Sequence, residues 1–372
     1  MKAYERYLAV FDDSARKYLD RVPTFVQYVR NDFIKENRML LRANFEGKQR
    51  ISKFWPPIMS FTRFNCPTQL GFDSYFAYSL PSVRIKRINI QDENGKKVLI
   101  GASGQKLQID GYYKKGYIQS MDILDRLHNN MKIKDATTGN RILYKQYNMI
   151  SDFSYPILQV EGIFDRVWQA MGMEVFSRHF QKKTKLYREL VKFYAELAIV
   201  NVQGMIDAVQ SLGKDCKLKV INLLDDVAFK GRPMISPARW KEDFLPYYKK
   251  IIAIISDADL IPQVHTDGNV TQLVPLFQEA GFLGLQGWEG GANPEYINEH
   301  FPDFVIVGFG DVSEVLPFGT TADVDNHVKS LMNTLKKNRH FIIGPSTVIY
   351  KGIPLENVIA FIRASHKYGN YK

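Results

Sequence analysis

From about residue 150 onward the chain alternates short apolar runs with longer amphipathic stretches, and this rhythm constrains the fold more than any other feature. The apolar runs are FSYPILQV, LKVINLL, IPQVH, FLGLQG, FVIVGF and HFIIG. Each is short and rich in Val, Ile, Leu or Phe, as strands buried on both faces are. Between them apolar residues fall at helical spacing, most extensively in KLYRELVKFYAELAIVNVQGMIDAVQSLG. The stretch ISPARWKEDFLPYYKKIIAIIS opens with Ser236 as an N-cap and Pro237 at the first helical position. VTQLVPLFQEAG ends on Gly281, where a left-handed residue closes a helix. ADVDNHVKSLMNTLKKN and LENVIAFIRASHKYG close the chain. Repeated β-α units imply a parallel sheet. So many of them, with no GxGxxG after the first strand, predict an α/β (β/α)8 barrel rather than a doubly wound sheet.

The first 150 residues read differently. Helices are expected over about 3–20 and 28–48, joined to an aromatic-rich connection running through Phe54–Tyr78. A β-hairpin appendage is expected at 83–112. There Val83, Ile85, Ile88 and Ile90 alternate ahead of a turn signal at Asp92–Gly95, and Val98–Ile100 follows. The whole of 1–372 is read as a single barrel domain carrying this basic N-terminal part.

Charge is placed unevenly. Residues 1–150 hold 26 Lys and Arg against 14 Asp and Glu, whereas residues 151–372 hold 24 against 25. Such asymmetry suits an acidic partner or an anionic substrate. Nucleic acid is not the expected partner, because the lysines are scattered and no zinc-finger spacing, basic zipper or ribonucleoprotein motif occurs. No apolar run reaches the roughly 18–20 residues that span a bilayer, so no membrane association is expected. The opening MKAYERYLAVFDDSARKYLD is charged and helical, unlike a signal peptide. Cys66 and Cys216 are the only cysteines, too few for a disulfide framework or a CxxC site. A cytoplasmic enzyme fits these features.

In a barrel of this kind the active site lies at the C-terminal ends of the strands. LKVINLL runs into Asp225 and Asp226, IPQV into His265 and Asp267, FLGLQGW into Glu289, FVIVGFG into Asp311, and HFIIG into Ser346 and Thr347. Crowded carboxylates raise one another's pKa unless a cation or a bound proton compensates. Two readings follow: a metal ion on nitrogen and oxygen ligands, or a carboxylic acid kept protonated as a proton donor. Helix capping is the structural alternative for each aspartate taken singly. As a set, His265, Asp267 and Glu289 favour a site. The remaining histidines read as surface residues on helices. The aromatics around Phe54–Tyr78 either line a pocket for a flat ligand, with Tyr78 at its edge, or pack the core.

DDVAFKGRPMISPARWKEDFLPYYKKI, VHTDGNVTQLVPLFQEAGFLGLQ, GFGDVSEVLPFGT and IPLENVIAFIRASHKYG resemble, in order and spacing, the uroporphyrinogen decarboxylase superfamily over about 220–370. That superfamily includes corrinoid-dependent methyltransferases. A fainter likeness extends upstream through RVPTFVQYVR, LGFDSYFAYSLP and the hairpin. The resemblance implies a (β/α)8 barrel. The decarboxylase itself uses two arginines after a proline, a central aspartate and a late histidine. Tyr28 and Asp32 stand near the arginine places with Arg30 out of step, Leu80 at the aspartate and Thr347 near the histidine. Tetrapyrrole decarboxylation is therefore not expected.

The methyltransferase branch is similar in a different way. It resembles cobalamin-independent methionine synthase in binding zinc through His-x-Cys, a glutamate some twenty residues on, and a late cysteine. His265 is kept, Asp267 replaces the first cysteine, Glu289 follows Asp267 by 22 residues, and Ser346 or Thr347 stands near the second cysteine. A His, Asp and Glu set is harder than thiolates and suits zinc, manganese or iron with water or an oxygen-bearing substrate. The resemblance thus implies transfer of methyl from a small O- or N-methylated substrate to a corrinoid protein. No DxHxxG corrinoid motif occurs in the chain, so the corrinoid would be carried by a partner. Expected roles are metal ligation for His265, Asp267, Glu289 and Ser346, and acid chemistry for Asp267, Glu289 and Asp226. Substrate contacts are expected from Asp225, Asp311, Arg30 and Tyr78. A decarboxylase or lyase using Arg30 or Arg232 as an anion clamp, and a non-catalytic binding subunit, remain as alternatives.

Overall fold

The computed structural model describes residues 1–45, 66–92, 94–101, 104–107, 113–133, 136–288 and 291–371. Eight parallel strands form one sheet in chain order: β1 (Phe25–Val26), β2 (Ser74–Ala77), β3 (Tyr155–Glu161), β4 (Val220–Leu224), β5 (Ile261–His265), β6 (Gly284–Gly287), β7 (Val305–Gly310) and β8 (Phe341–Pro345). The first and last strands approach each other through the parallel bridges Thr24–Ile343 and Val29–Ile349, so the sheet curls into a nearly closed barrel. All six strands expected after residue 150 form. Most of their Val, Ile, Leu and Phe side chains are buried because helices cover the outer face and side chains fill the lumen, with Phe153 and Leu283 exposed at the strand entrances.

The helices follow their sequence signals. Lys185–Gln210 is capped by Thr184, whose hydroxyl accepts from Tyr187 N. Ser236 accepts from Arg239 N with Pro237 in the first turn, and Gly281 takes the left-handed conformation after Val274–Ala280.

The N-terminal half departs from expectation in three places. The helix expected over 3–20 is two, Ala3–Ala9 and Asp13–Arg16, because Asp12 accepts from Ser14 N and Ala15 N and starts a new helix there. The helix expected over 28–48 begins at Asn31 and breaks at Asn37. Residues 21–29 are extended and supply β1, and 46–48 lie outside the described residues. The expected hairpin is redistributed. Ile88–Gln91 pairs with Lys97–Ile100 around the Asp92 turn, where Asp92 accepts from Asn94 N and Lys96 N. Val83–Ile85 instead pairs with Met131–Ile133, beyond the helix Met121–Asn129. The arm expected to run from Val83 through Ile90 is broken at Lys86 and Arg87, and only its second half stays in the hairpin around Asp92. Gln105–Leu107 pairs with Tyr113–Gly116.

The base of the barrel is pinned electrostatically. Buried Asp73, just before β2, takes Arg6 at 2.7 Å, Arg21 Nη2 at 2.8 Å and Thr24 N at 2.8 Å. Burial raises its pKa, but the two guanidinium groups and the Thr24 amide outweigh this and hold it below its ordinary value. From the same end Tyr7 OH donates to Gln263 Oε1 at 2.7 Å, and Gln263 Nε2 donates to Asn222 Oδ1 at 3.1 Å inside the lumen.

Candidate active site at the barrel mouth

One strand layer above Gln263 and Asn222, toward the C-terminal mouth, His265 is in register with Leu224 of β4 and Gln286 of β6. Its ring is buried, at 8% side-chain exposure, beside Asp226 at 43% and Asp267 at 34%. His265 Nε2 lies 3.7 Å from Asp226 Oδ1 and 3.7 Å from Asp267 Oδ1. One donor atom from each of the three lies within 4.8 Å of the other two. The ring stands edge-on to Phe76 of β2, with centroids 5.9 Å apart.

Local backbone fixes this grouping. Asp267 N donates to Asp226 Oδ1 at 2.9 Å, and Val227 N donates to Thr266 Oγ1 at 3.0 Å, tying the segments after β4 and β5 together. Gly287 has φ +135°, and a Cβ there would sit 2.0 Å from Thr266 O, so only glycine lets β6 run so close beneath Thr266 and Asp267. His265 Nδ1 lies 2.6 Å from Gln286 Oε1, whose amide nitrogen donates to Ser346 O at 2.8 Å.

Asp225 and Asp165 form a second acidic group beside the first. Asp225 is buried and accepts from Asp165 N at 2.7 Å, Phe164 N at 3.3 Å and the Tyr248 hydroxyl. Burial outweighs those hydrogen bonds and pushes its pKa up to about 6. Asp165 is also pushed well above the carboxylate range, first by burial and then by the charges of Asp226 and Asp225.

Other expected site residues are dispersed. Asp311 accepts from Ser313 N at 2.7 Å and Glu314 N at 3.0 Å, closing the turn ahead of the helix Val315–Phe318, whose N-cap is Glu314. Arg30 is 41% exposed and paired with Asp32 at 2.9 Å. Ser346 offers its carbonyl to Gln286 and its amide to Gly310 O. Tyr78 lines a cavity of about 320 Å³ at the ends of β2, β3 and β4 with Leu80, Gln159, Glu161, Met205 and Leu224. Glu289 and the connection at 46–65 lie outside the described residues. Sequence reasoning missed Gln286, Gln27 and Asp165. A lone glutamine between Leu285 and Gly287 in an apolar run, and an aspartate just beyond FSYPILQV, were the available signals.

The donor set fits a small divalent cation. Zinc takes nitrogen and carboxylate oxygen at roughly 2.0–2.2 Å, which puts tetrahedral ligands about 3.4 Å apart. The observed separations of 3.7 Å are close to that.

The fold and its mouth thus define a (β/α)8-barrel protein with a histidine–carboxylate cluster at the C-terminal ends of its strands. The family model described as uroporphyrinogen decarboxylase (URO-D) matches residues 157–368, more than half of the sequence, and the chain belongs to that family. Among curated proteins none matches. Among solved structures, the chain is similar to a methyltransferase from Methanosarcina mazei, with 16% identity over 99% of each chain and a TM-score of 0.58, a likeness of fold. A sugar phosphate isomerase/epimerase from Parabacteroides distasonis aligns at 9% identity over 94% of this chain and 96% of its own, with a TM-score of 0.36.

Proposed function

We propose that the chain is a methyltransferase-like enzyme that moves a methyl group from a small O- or N-methylated substrate to a corrinoid carried by a partner protein. The observation that carries this reading is the Asp226, His265 and Asp267 cluster, which stands at the mouth where the methyltransferase branch resembled by the sequence keeps His-x-Cys. The shared fold with the Methanosarcina mazei methyltransferase supports it. Asp226, His265 and Asp267 would hold a divalent metal such as zinc, and Glu289 is retained as a fourth candidate. Bound there, the metal would supply Lewis acidity toward the heteroatom that loses methyl, which is a poor leaving group as an alkoxide or amide.

The chain's own residues do the rest. Leu224, the register partner of His265, forms part of the wall of the cavity at the ends of β2, β3 and β4, whose lining does not include Asp226, His265 or Asp267; in this reading that cavity is the candidate substrate pocket. The cavity falls at the small end of ligand pockets and suits a small molecule rather than a four-ring macrocycle. Phe76, edge-on to the His265 ring, covers that side of the cluster. Asp165, whose pKa burial and the charges of Asp226 and Asp225 push up, is the candidate proton donor to the leaving group in this reading. Asp225 orients the turn bearing Asp165 by accepting its backbone amide.

Decarboxylation of a carboxylated substrate is disfavoured by the placement of Arg30, which is engaged by Asp32 and exposed. No Lys or Arg lines the cavity among the described residues. Elemental analysis of purified protein and of His265→Ala tests the metal centre. One equivalent of metal in the wild type and loss in the variant is expected; no metal in either, after incubation with zinc, would overturn it.

A further inference from the structure

The structure assigns Gln286 a positioning role: it holds His265 as the tautomer protonated on Nδ1, so that Nε2 presents a bare lone pair to the space shared with Asp226 and Asp267. This rests on the metal-centre reading above and adds the residue that makes the histidine a ligand.

The hydrogen-bond pattern leaves little freedom. Gln286 is fully buried, and its Nε2 donates to Ser346 O at 2.8 Å. A carbonyl oxygen only accepts, so the amide nitrogen must face Ser346 and Oε1 must face the ring. Oε1 lies 2.6 Å from His265 Nδ1 and also only accepts, so Nδ1 must carry the proton. Gln27 donates its Nε2 to the same Oε1 at 3.3 Å, which fits an oxygen at that position, while its 3.4 Å distances to the two ring nitrogens are equal and favour neither.

With Nδ1 committed, the ring in its neutral form has its lone pair on Nε2, which lies 3.7 Å from two carboxylate oxygens. With the ring in its neutral form, a cation placed among Nε2 and the two carboxylate oxygens would be attracted by all three. A glutamine does this orienting work without charge. A carboxylate in its place would fix the same tautomer but add a further negative charge to a mouth that already holds Asp165, Asp225, Asp226 and Asp267. Groups that orient a metal-binding histidine typically contribute about 10–100-fold to metal affinity.

The test uses the full-length protein with nitrogen-15 histidine and zinc alone as probe. In metal-free wild type, above the pH where the ring is protonated, His265 is expected to show a protonated Nδ1 and an unprotonated Nε2. Gln286→Met, similar in size but without the acceptor, is expected to show mixed tautomers and zinc binding weaker by about 10–100-fold. A thermal melt without metal checks that the variant is folded. Nε2–H in the wild type, or equal zinc affinity in a folded Gln286→Met, overturns the positioning role. Should the variant not fold, the wild-type spectrum alone still decides the tautomer. If the wild type shows the Nδ1–H form but takes up no zinc, the metal reading falls while the tautomer assignment stands.

Discussion

At the scale of single residues, environment decides what each carboxylate does. Asp311 spends its oxygens on the next turn, whereas Asp226 and Asp267 direct theirs at His265. Asp225 is committed to backbone amides inside the protein, and its pH signature has an unusual sign. Its folded pKa of about 6 stands above an ordinary 3.8, so its favourable contribution is complete below about pH 4 and is lost as pH rises through 6. Keeping it ionised at neutral pH costs about 3 kcal/mol. Urea midpoints measured from pH 4 to 8 are expected to show this fall in the wild type. Asp225→Asn should lack it; the same slope in both would remove Asp225 as its source. His265 and Asp267 were legible in the sequence because charged residues interrupt an apolar strand at its end. Gln286 was not, because a neutral amide in FLGLQG looks like one more buried strand position, and its value comes only from what β5 and β8 place around it.

At the scale of elements, the β6 end sets the height of the cluster. Gly287 allows the strand to pass under Thr266 and Asp267, and its φ of +135° is strained for any other residue. Gly287→Ala is therefore expected to displace Thr266 and Asp267, weaken zinc binding at least tenfold and leave most secondary structure in place. Titration with zinc beside a circular dichroism spectrum checks it; unchanged affinity would mean that the β6 end does not set the site. The helices and strands after residue 150 could be read because caps, periodicity and strand composition agree there. β1 is only Phe25–Val26, too short for any periodic signal, and it exists because Phe25 and Val26 pair with Ser74 and Tyr75 of β2, with Thr24 and Val29 bridging to Ile343 and Ile349 on the other side. Val83–Ile85 leaves the expected hairpin for Met131–Ile133 for a related reason: strand pairing across the helix Met121–Asn129 leaves no local trace.

At the scale of the whole molecule, the barrel separates stability from chemistry. Its base is held by Asp73 between Arg6 and Arg21, and its mouth carries the acidic cluster. Asp73 has a lowered pKa, so its contribution is present above the ordinary carboxylate range and is lost as pH falls through the folded value. Asp73→Asn is expected to cost about 3–5 kcal/mol at neutral pH, as breaking one partner of a buried ion pair does, and to flatten the acid limb of stability. Denaturant unfolding at pH 7 and pH 3 measures both; a cost under 1 kcal/mol would show that the base does not depend on this pair.

Methyl transfer itself is tested most directly by spectroscopy with free cob(I)alamin standing in for the corrinoid protein. The zinc-loaded chain is mixed with a panel of small methyl ethers and methylamines. Conversion to methylcobalamin with at least one substrate, lost in His265→Ala, is the predicted result. Carbon dioxide released from a carboxylated substrate, with no methylcobalamin formed from any member of the panel, would contradict it.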